Sequence, residues 1–424
     1  MIRRLLPGSL LRRFSSAVVD QAVLSAANFV VGLLLIRMAE DSAYGYYVLV
    51  QSAIALLVSA QGAWILTPLA LVAPKQGDAR RDAMVGRVYR DGQRSLRGLV
   101  GLGLLLPPAG LLLGAWELPL ALLLAAGLLA GWTALLREYL RGVLYIHGRA
   151  GEVLQTDLLY AGLLVGGVLL AVWLPGPSEV WAVLAVALAG ASFGWRADRL
   201  LARDPGWHPA PVGDPVWRQL APLGSWAAAG AAIYWLYAQG YNYLLALRFD
   251  VEAVAAVNAV RLLLMPTWVL TVGIRGLLTP SAARWLQESG LDALLRRLTR
   301  FILALAVLDL LYIGLVWIFR DWLTVQVLRT QIEDLDRLLL AWALVTLIAL
   351  VRDLYQSALL ALEQLKRMAW ISVAGSLSAL AAMGALAGPM GPVGVVLGMA
   401  VGELLSLIAG QALILRARRQ LAQR

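Results

Sequence analysis

Long apolar runs separated by short polar segments make up most of the chain. Each run is close to the length of roughly 20 residues that an α-helix needs to cross a bilayer. Their bounds are 17–36, 44–72, 99–116, 119–136, 154–173 and 179–195 in the first half, and 222–247, 251–276, 301–319, 338–357, 369–387 and 392–414 in the second. The pattern predicts an all-α polytopic membrane protein with twelve transmembrane helices.

The amino-acid composition agrees with this prediction. Hydrophobic residues make up 60% of the 424 residues and charged residues only 15%, whereas soluble domains are roughly 45–50% apolar. The chain has no cysteine, which excludes disulfides, thiolate metal sites and cysteine nucleophiles.

The basic start followed by the run 17–36 also fits a signal peptide. However, this run is as long as a spanning helix and contains Asp20, Gln21 and Asn28, and no small-residue cleavage motif follows it. We therefore interpret it as a retained first transmembrane helix.

Two short sequence segments that recur in the second half indicate an internal duplication. Arg137-Glu138 ends an apolar run, and Arg352-Asp353 does the same 215 residues later. Leu66-Thr67-Pro68 returns as Leu278-Thr279-Pro280 at an offset of 212 residues. Because the two recurring segments have nearly the same offset, an internal repeat is favoured over coincidence in a Leu/Ala-rich chain. We predict a six-helix bundle over 1–196, a Pro- and Arg-rich cytoplasmic linker over 197–219, and a second six-helix bundle over 220–424.

The basic residues predict the orientation. Segments on one side of the twelve predicted helices hold 29 of the 36 Lys and Arg residues, and the side rich in these residues is normally cytoplasmic. Both termini are therefore expected in the cytoplasm. This bias accounts for the net charge of +10 without nucleic acid as a partner. Six helices per half give the halves the same orientation, with their symmetry axis along the membrane normal.

Motifs of the common enzyme classes are missing from the sequence. It contains no GxxxxGK[ST] phosphate loop, no HExxH motif and no nucleophile elbow. The only histidines are His147 and His208. We expect no enzyme activity, no cofactor and no metal site, and we favour transport.

Charged residues at two places within or near the apolar runs are candidates for function, because inserting an ionisable group into the membrane costs about 2.5–3.5 kcal/mol. The first is Arg261. Arg261 follows Asn258 by one turn and lies roughly 15 Å into its helix. It is either a fixed cation in a water-filled cavity for an anionic substrate or an internally paired charge.

The second group consists of Arg352, Asp353 and Gln356, with Arg137, Glu138 and Arg141 as its equivalents in the first half. An adjacent Arg and carboxylate diverge by about 100° on a helix, so they need not pair with each other, and interfacial anchoring is the alternative role.

Further polar residues share helix faces. Asp20 lies beside the face of Gln21, Ser25 and Asn28 in the first helix, and Gln239 and Asn242 are one turn apart in the seventh. Asp20 is a candidate for binding a proton or sodium ion, or for a purely structural hydrogen bond. No role is assigned to Gln51 at this point, nor to Gln61, Asp157, Asp309 and Glu403.

Several motifs in order resemble one transporter superfamily. They are Asp20-Gln21-Ala22-Val23 through Asn28-Phe29, Ala43-Tyr44-Gly45-Tyr46-Tyr47, Arg137-Glu138-Tyr139-Leu140-Arg141, and Ala259-Val260-Arg261 with Pro266. Over nearly its whole length the chain resembles the multidrug/oligosaccharidyl-lipid/polysaccharide exporter superfamily. Within it, the chain is most similar to the bacterial polysaccharide repeat-unit flippases of O-antigen and exopolysaccharide synthesis.

The resemblance implies a function and a site. Such a protein moves undecaprenyl-diphosphate-linked oligosaccharide from the cytoplasmic to the periplasmic leaflet of the inner membrane. It does so by alternating access of two bundles arranged in a V around a cationic cavity. Candidate diphosphate ligands are Arg261, Arg352, Arg137 and Arg141; candidate sugar ligands are Asn28, Gln51, Gln239, Asn242, Asn258 and Gln356; candidate ion-coupling groups are Asp20, Glu138 and Asp353. The implied partners are this lipid-linked oligosaccharide and the bilayer, with polysaccharide polymerase and export machinery as further candidates.

Two other functions stay open. A cation-coupled multidrug or small-molecule exporter of the same superfamily would rely on buried carboxylates, whereas the deep charges here are mainly arginines. A non-transporting scaffold of an export complex would not need arginines in the membrane.

Overall fold

The computed structural model describes residues 8–73, 77–203, 207 and 216–422. The basic start before residue 8, Lys75, His208 and much of the predicted linker lie outside the described residues. Every regular element among the described residues is helical, which confirms the all-α prediction. The chain folds into two compact units, Met1–Ala232 and Ile233–Arg424.

The first unit contains helices α1 to α8 and the beginning of α9. A π-helical segment, Gly62–Leu66, joins α2 to α3 just before Pro68. The bounds are α1 Gly8–Met38, α2 Asp41–Gln61, α3 Thr67–Val72, α4 Asp78–Gly103, α5 Leu106–Leu112, α6 Leu118–Ile146, α7 Ala150–Ala171, α8 Ser178–Leu201 and α9 Val216–Ala238.

The second unit contains the end of α9 and helices α10 to α15. Two of its helices are interrupted at glycines with positive φ: α12 at Gly290 (φ 76°) and α15 at Gly391 (φ 61°). The bounds are α10 Gly240–Arg248, α11 Val251–Leu263, α12 Met265–Ile318, α13 Arg320–Trp322, a π-helical segment Leu323–Leu328, α14 Leu335–Ala361 and α15 Leu365–Ala422.

Many of these helices are long and apolar enough to cross a membrane. In the described part of the chain there are nine, or up to ten if the bent pair α11 and the start of α12 is one span. The candidate Lys366–Gln420 has 55 residues, about 80 Å at 1.5 Å per residue. This is too long for one crossing, and the break at Gly391 divides it into two. The remaining predicted span, 222–247, corresponds to α9 and α10, which are interrupted at Gln239.

Three predicted boundaries differ from the structure. The fourth predicted helix, 119–136, continues to Ile146 as α6, so Arg137 and Arg141 lie inside a helix and do not end it. The basic segment before the third predicted run is helical from Asp78. The predicted start of the second bundle at residue 220 lies within α9, and the first part of α9 packs into the first unit. Leu220 is fully buried in that core, and the Trp217 indole donates to Asp91 at 3.1 Å.

Candidate functional site

A buried ion-pair network in the first unit joins α6 to α1 and α7. Arg141 on α6 donates to Asp20 on α1 at 2.6 Å and to Asp157 on α7 at 2.9 Å. Arg137, one turn earlier on α6, donates to the other oxygen of Asp157. Both aspartates are fully buried. The two guanidinium groups therefore already bind two carboxylates.

Aromatic side chains complete this network. The Arg137 guanidinium lies 3.9 Å from the centroid of the Tyr160 ring, in cation–π geometry. The Tyr145 hydroxyl donates to Asp20 at 2.9 Å. Glu138 lies 3.8 Å from Arg141, at the more exposed edge of the cluster. Four predicted site residues, Arg137, Arg141, Asp20 and Glu138, thus meet here.

A second ion-pair network lies in the second unit. Arg352 on α14 donates to Asp353 at 2.8 Å, and its Nη1 lies 2.6 Å from Oε2 of Glu403 on α15. Arg275 on α12 donates to the other Asp353 oxygen at 3.4 Å. Arg352 and Asp353 therefore do pair, although they are sequence neighbours. The long arginine side chain spans the angle between them, because both its Nε and its Nη2 donate to Asp353 Oδ1.

Arg352, Asp353 and Arg275 also line a cavity of about 350 Å³ within the second unit. This volume is at the small end of the roughly 300–1,000 Å³ typical of small-molecule sites. The wall combines charged groups with hydroxyls and amides. Its other polar side chains are Tyr237, Tyr355, Gln356, Ser372, Ser376, Ser406 and Gln411.

Arg261 belongs to a third cluster, built from α10, α11 and α14. Its guanidinium donates to the Tyr241 hydroxyl at 3.0 Å and lies 5.6 Å from the centroid of the Trp342 ring. The Tyr241 hydroxyl donates to Asn258 at 2.8 Å, and Asn258 donates to Asn242 at 2.7 Å.

The amide of Asn242 donates in turn to Gln239 at 3.3 Å. The predicted residues Arg261, Asn258, Asn242 and Gln239 therefore form one chain of hydrogen bonds. Because Gln239 lies at the break between α9 and α10, this chain extends from a helix interruption to the membrane-embedded cation.

Two predicted sugar ligands lie apart from these clusters. Asn28 is exposed on α1, and Gln51 on α2 lies beside the Tyr47 hydroxyl. Five residues that complete the clusters were not predicted as site residues: Asp157, Tyr241, Arg275, Trp342 and Glu403. Asp157 and Glu403 carried a detectable signal, since each is a single carboxylate within an apolar run and requires a cationic partner. Tyr241 and Trp342 carried none, because aromatic residues are common in all such helices.

The overall fold resembles that of known transporters. An inward-facing multidrug resistance MATE family transporter of the MOP superfamily superposes with a TM-score of 0.74 at 13% identity, covering 94% of this chain and 96% of that one. The fold is shared. Lipid II flippase MurJ in an inward closed conformation gives a TM-score of 0.70 at 10% identity, covering 94% of this chain and 86% of that one. An outward-facing MATE transporter gives 0.64 at 14% identity, covering 98% and 96%.

No protein-family profile matches the sequence. No curated protein sequence matches it either.

Proposed function

We propose that the protein is a flippase for a lipid-linked oligosaccharide, and that arginines bind the diphosphate of its substrate. The observation that supports this most directly is the cavity of the second unit, where Arg275 and Arg352 line the same wall as serine hydroxyls and glutamine amides. A diphosphate-linked sugar presents the matching groups, because it has phosphate oxyanions next to hydroxyls.

The ion pairs of Arg352 support diphosphate binding at this position. Arg352 already holds carboxylate oxygens of Asp353 and Glu403, and phosphate oxygens present the same acceptor geometry to a guanidinium fork. In this proposal the diphosphate, which carries more negative charge than a single carboxylate, competes with Asp353 and Glu403 for the Arg352 guanidinium. Arg275 is 41% exposed and so meets the headgroup with little desolvation.

Arg261 is a second point of contact in this proposal. It lies in a membrane span among a phenol, an indole and two asparagine amides. Two of the structural neighbours support transport as the general class, since one is described as a multidrug resistance transporter and one as a lipid II flippase.

The test measures translocation of a fluorescent prenyl-diphosphate oligosaccharide in proteoliposomes. Arg352→Gln and Arg275→Gln remove charge-assisted bonds worth about 1.5–3 kcal/mol each, so we expect transport to fall roughly 10- to 100-fold. Arg352→Lys keeps the charge without the fork and should recover little. Arg261→Ala should abolish transport.

The matched control is Arg337→Ala, at the other end of α14. Its side chain is 76% exposed and pairs with Asp334 at the surface, where ion pairs contribute about 0–1 kcal/mol. If Arg352→Gln transports as well as Arg337→Ala does, the diphosphate proposal is overturned. Both variants must insert into the membrane and elute from size-exclusion chromatography as the wild-type protein does.

A cation-coupled small-molecule exporter is the second candidate function. The buried carboxylates favour it, since Asp20, Asp309 and Glu403 are all at least 96% buried within membrane helices. Efflux of cationic dyes driven by a proton or sodium gradient, with no movement of the prenyl-diphosphate probe, would establish this function in place of the flippase.

A further inference from the structure

The break between α11 and α12 is a bend of 57° within an apolar stretch. A helix end leaves backbone carbonyls without their intrahelical partners, and such groups are costly to leave unbonded in a membrane. Two hydroxyls supply the bonds here. The Tyr312 hydroxyl donates to the Leu263 carbonyl at 2.8 Å, and the Thr267 hydroxyl donates to the Leu264 carbonyl at 2.7 Å.

Asp309 lies against this bend, on the part of α12 that follows Gly290. It is 2% exposed, and neither carboxylate oxygen has a hydrogen-bond partner. Thr267 is the polar residue beside it, but the hydrogen of the Thr267 hydroxyl is directed at Leu264. The oxygen of that hydroxyl can therefore only accept a bond from Asp309. A carboxylate cannot donate one, whereas a protonated carboxyl group can.

Charged groups on the neighbouring helices have other partners. On α14, Arg352 and Asp353 pair with each other and with Glu403 and Arg275, and the Tyr355 hydroxyl bonds to Thr299. Arg261 on α11 bonds to Tyr241. The titratable neighbour on the same helix, Tyr312, donates to Leu263. Among the described residues, no cation forms an ion pair with Asp309.

We propose that Asp309 is a proton-binding site whose occupancy controls the hydrogen bonds at the α11–α12 bend. With the proton bound, Asp309 donates to the Thr267 hydroxyl oxygen, and Thr267 donates to Leu264. When the proton leaves to solvent, the Thr267 hydroxyl rotates and donates to the carboxylate. The Leu264 carbonyl then keeps only the Thr267 amide, at 3.2 Å. Loss of the proton therefore loosens the bend.

The bend can be measured directly because the chain contains no cysteine. Glu252 and Glu288, both exposed, flank the bend and can be changed to cysteine and spin-labelled. We expect the distance between the labels to shift between low and high pH in the otherwise wild-type chain. Asp309→Asn should lose this shift and stay at the low-pH distance, because its amide also donates to Thr267. Thr267→Val should lose the shift as well.

Asp292→Asn is the matched control, since this carboxylate is 53% exposed and pairs with Arg418 at the surface. It should keep the wild-type shift. A distance that does not change with pH in the wild-type background, or one that shifts equally in Asp309→Asn, would overturn the proposal.

Infrared spectroscopy tests proton binding independently of the bend. The carbonyl stretch of a protonated, buried carboxyl group should be present in the wild type, absent in Asp309→Asn and retained in Thr267→Val. Asp309→Glu keeps a carboxyl group and should restore a shifted band. A band that persists in Asp309→Asn would refute the assignment. None of these measurements requires transport, so they stand or fall separately from the flippase proposal.

Discussion

At the scale of single residues, Arg141 has the clearest structural role. It bridges Asp20 and Asp157 from two other helices, and both carboxylates are fully buried. Breaking a buried ion pair from one side leaves an uncompensated charge and costs about 3–5 kcal/mol. We expect Arg141→Ala to lower the midpoint of thermal unfolding in detergent strongly, in contrast to the small effect of an interfacial anchor.

A compensating variant separates charge from packing at this position. Asp20→Asn in the Arg141→Ala background removes one stranded carboxylate and should recover part of the lost stability. Asp41→Asn, at the exposed start of α2, is the control and should recover none. An Arg141→Ala protein as stable as wild type would show that the network does not hold α1, α6 and α7 together.

The sequence identified most of the charged site residues but few of their partners. Arg261, Arg352 and Arg137 stand out because charge is rare in apolar runs. Their partners depend on which helix faces which, and an apolar sequence scarcely encodes this. Asp157 is a neighbour of Arg137 only because α7 packs beside α6, and the pairing of Arg352 with Asp353 depends on a rotamer that helix periodicity does not predict.

At the scale of helices, the close contact between the two parts of α15 depends on glycine. Gly394, Gly398 and Gly402 recur at every fourth residue, and this spacing lets two helix backbones approach closely in a membrane. A Cβ atom at Gly402 would lie 2.6 Å from the Gly375 carbonyl oxygen, and one at Gly398 would overlap the backbone of Met383.

Gly398→Leu should therefore force the two parts of α15 apart. Overpacking of this kind costs typically about 1–3 kcal/mol, which thermal unfolding would detect. Gly384→Leu is the matched control on the same helix pair, because a Cβ there meets no atom within 4 Å and a leucine side chain suits lipid. Equal stability of the two variants would contradict close packing at Gly398.

Helix breaks were only partly predictable. The interruption at Gly391 lies between Pro389 and Pro392, and the predicted runs ended and began on either side of it. The sequence marks the break between α11 and α12 only weakly. Pro266 lies at the start of α12, where the missing amide hydrogen of proline is tolerated. The hydroxyls of Thr267 and Tyr312 bond to backbone carbonyls at the bend, and only the structure shows where these hydroxyls are.

At the scale of the whole molecule, the distribution of positive charge is the remaining guide to orientation. The twelve predicted spans alternate in direction, and 29 of the 36 basic residues lie on one predicted side. Glu288, between two spans of the second unit, is expected on the cytoplasmic side, and Glu333, before α14, on the opposite side.

Cysteine accessibility in whole cells tests this orientation, and the cysteine-free chain provides an unlabelled background. Both Glu288 and Glu333 are exposed, so a difference in labelling between their cysteine variants cannot result from burial of one of the two side chains. A membrane-impermeant maleimide that reaches the outer face should label Glu333→Cys in intact cells and Glu288→Cys only after lysis. The reverse pattern would invert the topology. The arginines of α14 would then receive a substrate from the opposite leaflet, and the direction of the proposed transport would have to be reversed with it.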